Sequence, residues 1–167
     1  MPTGKAILVV EDETDLADLL RFNLVKEGYF CRCVSDGAAA LGEVRREAPD
    51  LIVLDRMLPG MSGEQVIETL RKNAPTAAIP VLMLTAKAEE SDQLVGFALG
   101  ATDYVTKPFS MKVLLARVAA ALRRTESSTA QPGPMTRGPV TLDVERYQVA
   151  VGGAAVALTT TEFRILK

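Results

Sequence analysis

The chain opens with a rhythm that recurs five times: a short apolar run, a polar turn, then a longer stretch with apolar residues three and four apart. Ala6-Ile7-Leu8-Val9-Val10 is the first run and ends in acids. Leu16, Leu19, Leu20 and Leu24 follow at helical spacing, and Gly28 stands where that helix should stop. Tyr29 to Val34 predicts a second strand. Ser35-Asp36-Gly37 then opens a helix through Ala40, Leu41 and Val44. Leu51-Ile52-Val53-Leu54 has no polar alternation, which predicts a strand covered on both faces. After the loop Leu58-Pro59-Gly60-Met61-Ser62-Gly63, helical spacing resumes at Val66, Ile67 and Leu70. Val81-Leu82-Met83-Leu84 predicts a fourth strand, with a helix through Leu94, Phe97 and Ala98 ending at Gly100. Asp103-Tyr104-Val105-Thr106 predicts a fifth. A last helix carries Met111, Leu114, Leu115, Val118 and Leu122 on one face. Strands alternating with helices predict an open, parallel, doubly wound α/β sheet of five strands. Ligands of such sheets bind beyond the carboxyl ends of the strands, near the topological switch point.

The pattern changes after residue 124. Residues 125–137 are polar and rich in Pro, Gly and Ser, which predicts a flexible linker. Residues 138–167 alternate at Val140, Leu142 and Val144 and again at Val149 and Val151. Gly152-Gly153 marks a turn, and Val156 and Leu158 follow. Thr159-Thr160-Thr161-Glu162 reads as a capping box opening a helix at Phe163, Ile165 and Leu166. Thirty residues are too few to fold without staples, so this tail reads as the beginning of a second, truncated domain. The expected organisation is therefore a domain over 1–124, a linker over 125–137 and a partial domain over 138–167.

Composition narrows the chemistry. Among 167 residues, 19 Lys and Arg face 21 Asp and Glu, a formal net charge of -2, so a basic binding site must be local. There is no His, which excludes Ser-His-Asp and Cys-His catalysis and phosphohistidine chemistry within this chain. Two cysteines, Cys31 and Cys33, lie two apart on a predicted strand and share a face. Without His they make an incomplete zinc site, and packing or a surface thiol is the plainer reading. No apolar run reaches the roughly 18 residues that span a membrane. The expected setting is a reducing cytoplasm with no membrane.

The chemistry gathers at the strand ends. Glu11 and Asp12 follow the first run, with Glu13 and Asp15 close behind; Asp55 follows the third, Thr85 the fourth and Lys107-Pro108 the fifth. A parallel sheet would bring these carboxylates, hydroxyl and ammonium into one crevice. Clustered carboxylates suit Mg²⁺, which takes oxygen ligands and keeps several waters. A carboxylate can attack phosphorus to form an aspartyl-phosphate, with Mg²⁺ and Lys neutralising charge on the equatorial oxygens. Asp55 ends the most apolar strand and is the expected nucleophile. Met57, Met61 and Met83 flank the crevice and read as packing; the Arg45-Arg46 and Arg123-Arg124 doublets read as solvated helix residues.

The segments Val9-Val10-Glu11-Asp12-Glu13, Leu54-Asp55-Arg56-Met57-Leu58-Pro59-Gly60-Met61-Ser62-Gly63, Leu84-Thr85-Ala86 and Gly100-Ala101-Thr102-Asp103-Tyr104-Val105-Thr106-Lys107-Pro108-Phe109 resemble the receiver domain of two-component response regulators. The resemblance runs almost continuously over residues 5–124 and implies a flavodoxin-like fold. Leu158-Thr159-Thr160-Thr161-Glu162-Phe163-Arg164 resembles the junction between the small sheet and first helix of the winged-helix effector domain in the OmpR/PhoB family. The whole chain is most similar to that family's PhoB branch, which implies control of phosphate-regulon genes.

The resemblance implies a role for each residue. Asp55 is the phosphoacceptor. Asp12 and Asp55 hold Mg²⁺, Glu11 acts nearby through water, and the Met57 carbonyl is a backbone ligand. Lys107 binds the phosphoryl group, and its bond to Pro108 is cis. Thr85 and Tyr104 are the switch pair: on phosphorylation Thr85 swings to the phosphate and Tyr104 turns inward behind it. The implied partners are a sensor histidine kinase and a second copy of the chain. That homodimer uses the face made by the fourth predicted helix, the fifth strand and the last helix. There Asp103 and Arg117 match an intersubunit ion pair, with Lys87, Arg123 and Arg124 nearby. Gln93, Thr102 and Val113 depart from the family's charge pattern; each exposed pair lost costs about 0–1 kcal/mol, weakening the dimer without forbidding it. Promoter DNA and RNA polymerase are partners of the full-length protein only, because the tail lacks a recognition helix and wing. The implied activity is phosphoryl acceptance and autodephosphorylation, not enzymatic turnover.

Three other readings meet specific objections. A haloacid-dehalogenase-type phosphohydrolase needs a second Asp two residues after the nucleophile, where this chain has Met57, and a cap insertion it lacks. A phosphorylation-independent dimeriser would not need Asp12, Asp55, Thr85 and Lys107 together. A dinucleotide-binding fold would show G-x-G-x-x-G after the first strand, and none is present.

Overall fold

The computed structural model describes residues 4–86, 100–129, 135–137, 140–143, 148–151 and 154–156. The chain divides into two compact units, Met1–Thr125 and Glu126–Lys167.

The first unit is built on five parallel strands: β1 (Ala6–Val10), β2 (Phe30–Val34), β3 (Leu51–Asp55), β4 (Val81–Thr85) and β5 (Asp103–Thr106). Their order is β2-β1-β3-β4-β5. Helices α1 (Thr14–Lys26), α2 (Gly37–Arg46), α3 (Gly63–Lys72) and α4 (Met111–Thr129) accompany them. The doubly wound parallel sheet expected from the sequence is present. The predicted helix through Leu94, Phe97 and Ala98, with Lys87 and Gln93, lies outside the described residues.

Successive side chains of a strand point to opposite faces, so each central strand feeds two cores. Leu8, Val10, Ile52, Leu54, Val81 and Met83 meet Ala40 and Val44 of α2 and Val66, Ile67 and Leu70 of α3. Ile7, Val9, Leu51, Val53, Leu82 and Leu84 meet Leu20 and Leu24 of α1 and Leu114, Val118 and Leu122 of α4 on the other side. This two-sided burial is why β3 and β4 carry no polar alternation; every residue of both is buried. Fully burying one such aliphatic side chain is worth about 1.5–3 kcal/mol, so the sheet centre contributes much of the unit's hydrophobic stabilisation.

Local signals set the helix boundaries. Gly28 takes φ +93°, and the amides of Gly28 and Tyr29 turn back onto the carbonyls of Val25 and Leu24 at 2.9 and 3.1 Å. This left-handed cap ends α1 where the sequence predicts. Asp36 caps α2 by accepting from the Ala39 amide at 2.8 Å. Ser62 and Gln65 form a reciprocal capping box on α3.

The second unit is an antiparallel sheet of β6 (Met135–Arg137), β7 (Val140–Asp143), β8 (Gln148–Val151) and β9 (Ala154–Val156), in that order. The alternating residues Val140 and Leu142 pair with Val151 and Val149, and Val149 pairs with Val156. The predicted linker is a correction at both ends. Helix α4 runs on to Thr129, and Thr125 donates its hydroxyl to the Ala121 carbonyl at 3.2 Å within it. Met135–Arg137 is a strand because its backbone pairs with Val140–Leu142. The predicted capping box at residues 159–162 lies outside the described residues.

Candidate functional site

With the order 2-1-3-4-5, the chain leaves β1 toward one edge for β2 and toward the other for β3. The switch point therefore lies between the carboxyl ends of β1 and β3. Glu11 and Asp12 follow β1, and Asp55 closes β3. One carboxylate oxygen from each of Glu11, Asp12 and Asp55 lies within 4.8 Å of the others. Glu11 and Asp55 are 3% and 5% exposed, whereas Asp12 faces solvent.

Burying two carboxylates requires partners. Lys107, arriving just after β5, supplies the first: its Nζ lies 3.1 Å from Glu11 Oε2 and 3.3 Å from Asp55 Oδ2. The Met57 amide donates to Asp55 Oδ1 at 3.1 Å, and the Glu13 amide donates to Glu11 Oε1 at 3.1 Å. Each buried acid is thus held at both oxygens. Burial raises the Glu11 carboxyl above the usual carboxylate range, against the opposing pull of the Glu13 amide and Lys107. Burial would lower the Lys107 ammonium, but the hydrogen bond to Glu11 and the charges of Asp55 and Glu11 outweigh it and raise it.

The loop after β3 is held against the site from below. A Cβ on Gly63 would lie 2.7 Å from the Asp55 carbonyl oxygen and 2.9 Å from Arg56 Cα. The Gly63 amide donates to the Arg56 carbonyl at 3.0 Å. Only a residue without a side chain lets α3 start this close to the acid, and Arg56 pairs with Glu64 in that same first turn. The backbone around Lys107 is fixed likewise: its amide donates to the Thr85 carbonyl at 2.6 Å, and Lys107-Pro108 is cis.

Thr85 ends β4 and is 2% exposed. Tyr104 on β5 is turned inward, 7% exposed, among Leu54, Met83 and Ala101. Met57 departs from its packing assignment: its side chain is 72% exposed, because the residue sits in the turn after β3 and is tied down through its backbone. Met83 is buried and Met61 packs against the same core. Asp103 and Arg117 also meet within one chain. The pair that the resemblance puts between subunits is made within the chain, with Arg117 Nη1 2.9 and 2.8 Å from the two Asp103 oxygens. Asp103 opens β5 and Arg117 lies on the helix that follows it, so the intrachain partner is within reach.

Sequence reasoning did not single out Arg71. From the end of α3 its guanidinium donates to the Gly100 carbonyl at 3.0 and 2.8 Å, to Ala77 at 3.0 Å and to Ile79 at 2.8 Å. It ties together the approaches to β4 and β5. No spacing rule marks such a residue, since its acceptors are backbone carbonyls of loops.

A five-stranded parallel sheet whose switch-point crevice gathers three carboxylates and a lysine has the architecture of a signal receiver domain. Residues 7–119 match the response regulator receiver domain. Sensory transduction protein RegX3 of Mycobacterium tuberculosis is 47% identical over 164 residues, covering 97% of this chain and 71% of that protein. "Probable transcriptional regulatory protein TcrX" of the same organism is 42% identical over 162 residues, covering 96% and 68%. Among solved structures, the receiver domain of the Francisella response regulator 1452 aligns with TM-score 0.69 and 30% identity over 73% of this chain and 99% of that one. The chemotaxis response regulator CheY4 of Vibrio cholerae aligns with TM-score 0.68 and 28% identity over 71% and 99%. The chain belongs to the response regulator receiver family. These curated relatives are named for sensory transduction and for transcriptional regulation.

Proposed function

We propose that this chain is a phosphorylation-controlled transcription regulator in which Asp55 accepts a phosphoryl group from the phosphohistidine of a partner kinase. The carrying observation is the convergence of Glu11, Asp12 and Asp55 on one point beside Lys107, 96 and 52 residues away from Glu11 and Asp55 in sequence.

The donor set fits a hard divalent cation: three carboxylates against one ammonium leave the crevice strongly negative, and oxygen ligands are what Mg²⁺ prefers. Glu11, Asp12, Asp55 and the Met57 carbonyl would hold it. When bound, it supplies charge neutralisation for phosphate oxygens. The chain's own groups do the rest. The Met57 amide and Lys107 fix the Asp55 carboxylate so that one oxygen can attack phosphorus in line. The O–P bond to Asp55 forms as the donor's P–N bond breaks, and the leaving imidazole takes up a proton. Lys107, already beside Asp55, moves its charge onto a phosphoryl oxygen. The Thr85 hydroxyl donates to a second oxygen, and the buried Tyr104 ring occupies the space behind it, coupling the site to the β5 face.

That face, with Asp103 and Arg117, is the proposed homodimer surface; dimerisation requires Arg117 to exchange its own Asp103 for the partner copy's. The departures at Gln93, Thr102 and Val113 leave that dimer with fewer ion pairs. The sheet of β6–β9 is read as part of a winged-helix DNA-binding domain, as in the OmpR/PhoB family, following the receiver and its last helix α4. Promoter DNA and RNA polymerase are the partners proposed for such a regulator. A cytoplasmic location and phosphate-regulon control belong to the same reading; no described helix is long and apolar enough to cross a membrane. Met57, exposed at the position where a phosphohydrolase needs its acid, supports phosphoryl storage over turnover.

The test is intact mass after incubation with acetyl phosphate, with Mg²⁺ or with excess chelator. One phosphoryl adduct that needs Mg²⁺ and is absent from Asp55→Ala is expected. An adduct that persists in Asp55→Ala, or none on the native chain, refutes the reading.

A further inference from the structure

Between the acid of β3 and the start of α3 lies an ion pair to which the phosphoryl chemistry above gives no part. Arg56, the residue after Asp55, donates through Nε to Oε1 of Glu64, the second residue of α3. The two side chains are 23% and 24% exposed, so the pair is largely withdrawn from water. Three backbone ties meet beside it. The Arg56 amide donates to the Leu84 carbonyl of β4 at 2.9 Å, and the Arg56 carbonyl accepts from the Gly63 amide at 3.0 Å. The next amide, that of Met57, donates to Asp55 Oδ1 at 3.1 Å.

One peptide unit therefore links α3 to the nucleophile. In a trans peptide the C=O and N–H point in opposite directions. The Arg56–Met57 unit turns its oxygen to Gly63, where α3 begins, and its N–H to the Asp55 carboxylate. Two hydrogen bonds nearly in line leave the peptide plane able to turn about that line. The Arg56 side chain branches from Cα, off the line, and its attachment to Glu64 opposes the turn.

We infer that Arg56 and Glu64 are positioning residues for phosphoryl acceptance: their ion pair sets the Arg56–Met57 peptide and, through it, the orientation of the Asp55 carboxylate. The kinetic consequence rests on the phosphoacceptor role proposed for Asp55; the orientation does not. In-line attack tolerates little misplacement, so a loosened peptide slows the transfer itself. Charge alone predicts the reverse for one variant. Glu64→Ala removes a negative charge beside a crevice that gathers three carboxylates, which would speed the approach of an anionic donor. Glu64 in the first turn also favours α3 through the helix dipole, whatever it pairs with. Ser62→Ala separates that role, because it weakens the same turn and leaves the ion pair in place.

The experiment compares the native chain, Glu64→Ala, Arg56→Met, the double variant and Ser62→Ala. Proton–nitrogen NMR in chelator reads the Met57 amide. Timed intact mass with saturating Mg²⁺, over a range of acetyl phosphate concentrations, reads the rate of adduct formation on Asp55. In both single variants and the double variant the Met57 amide proton should move upfield, as its acceptor recedes, while the Glu13 amide, which donates to Glu11, stays. The maximal rate should fall severalfold in each single variant with the half-saturating acetyl phosphate concentration unchanged. The double variant should be about as slow as either single one, because the two side chains act as a unit. Ser62→Ala should keep the native shift and rate. An unmoved Met57 amide, a faster Glu64→Ala, a change confined to the half-saturating concentration, losses that multiply in the double variant, or an equal loss in Ser62→Ala overturns the inference. A native chain that takes up no phosphoryl group overturns instead the function proposed for Asp55, and the Met57 shifts then decide the orientation by themselves.

Discussion

Replacing Asp55 by Asn separates a carboxylate kept for chemistry from one kept for stability. Asp55 Oδ2 lies 3.3 Å from Lys107 Nζ. At an effective dielectric of about 20, that attraction is about 5 kcal/mol. The Glu11 carboxylate lies within 4.8 Å and is buried too, opposing with about 3.5 kcal/mol or more on the same scale. Asp12 is exposed, and at the dielectric of water adds about 1 kcal/mol of repulsion. Attraction and repulsion nearly cancel, and the cost of desolvating a carboxylate at 5% exposure remains uncovered. Asn keeps an oxygen for the Met57 amide and removes the charge, leaving Lys107 to Glu11 alone. In chelator, Asp55→Asn should therefore be as stable as the native chain or more stable by up to about 2 kcal/mol. With Mg²⁺ the order changes: a cation at about 100 times its dissociation constant stabilises the native chain by about 2.7 kcal/mol. The variant should lose most of that gain. The assay is urea denaturation followed by far-ultraviolet circular dichroism, with Mg²⁺ and with chelator. A variant that loses more than about 2 kcal/mol in chelator, or keeps the full Mg²⁺-dependent shift, would show that the cluster is not what the geometry says.

Four further outcomes follow from other contacts. Gly63→Ala places a Cβ 2.7 Å from the Asp55 carbonyl, so α3 must retreat. A loss of about 1–3 kcal/mol in denaturation, with slower phosphoryl acceptance, is expected, and an unchanged variant would contradict the contact. Arg71→Ala removes the donor to three loop carbonyls and should cost about 2–4 kcal/mol in the same experiment; less than 1 would mean water replaces it freely. Ser62→Ala breaks the α3 capping box for about 1 kcal/mol, while leaving the adduct on Asp55 intact. Because Lys107 is raised by Glu11 and Asp55 despite its burial, its stabilisation is complete below the ordinary lysine range and is lost as pH rises through the folded value. In Asp55→Asn the ammonium should titrate lower, read by NMR of its Cε; an unchanged titration would mean Asp55 does not act on it.

What the sequence made legible, and what it hid, has physical causes. The unbroken apolar run at residues 51–54 predicts a strand covered on both faces, and the acid that closes it marks the crevice. Strand ends of a parallel sheet converge by topology, so Glu11, Asp12, Asp55 and Lys107 could be grouped from spacing and family resemblance. Contacts whose acceptors are backbone atoms leave no such trace. Arg71 looks like any arginine late in a helix, yet it bonds to Ala77, Ile79 and Gly100. The continuation of α4 through Thr129 was hidden by Ser and Thr, which read as linker residues but tolerate a helix when the preceding turns are packed. Strand β6 has three residues, too few for alternation, and exists through its pairing with β7. Asp103 and Arg117 are singled out by the resemblance for a pair between subunits; that they meet within one chain follows from where α4 begins, which spacing alone does not give.

The most direct test of the central claim is chemical marking of the phosphorylated residue. An aspartyl-phosphate is an acyl phosphate, and borohydride reduces it to an alcohol, converting the aspartate to homoserine. The chain is phosphorylated with acetyl phosphate and Mg²⁺, reduced, digested and sequenced by mass spectrometry. The account predicts homoserine at position 55, none in chelator, and none at Asp12 or Glu11. Homoserine elsewhere, or a phosphoryl group that survives reduction on a hydroxyl side chain, would contradict it.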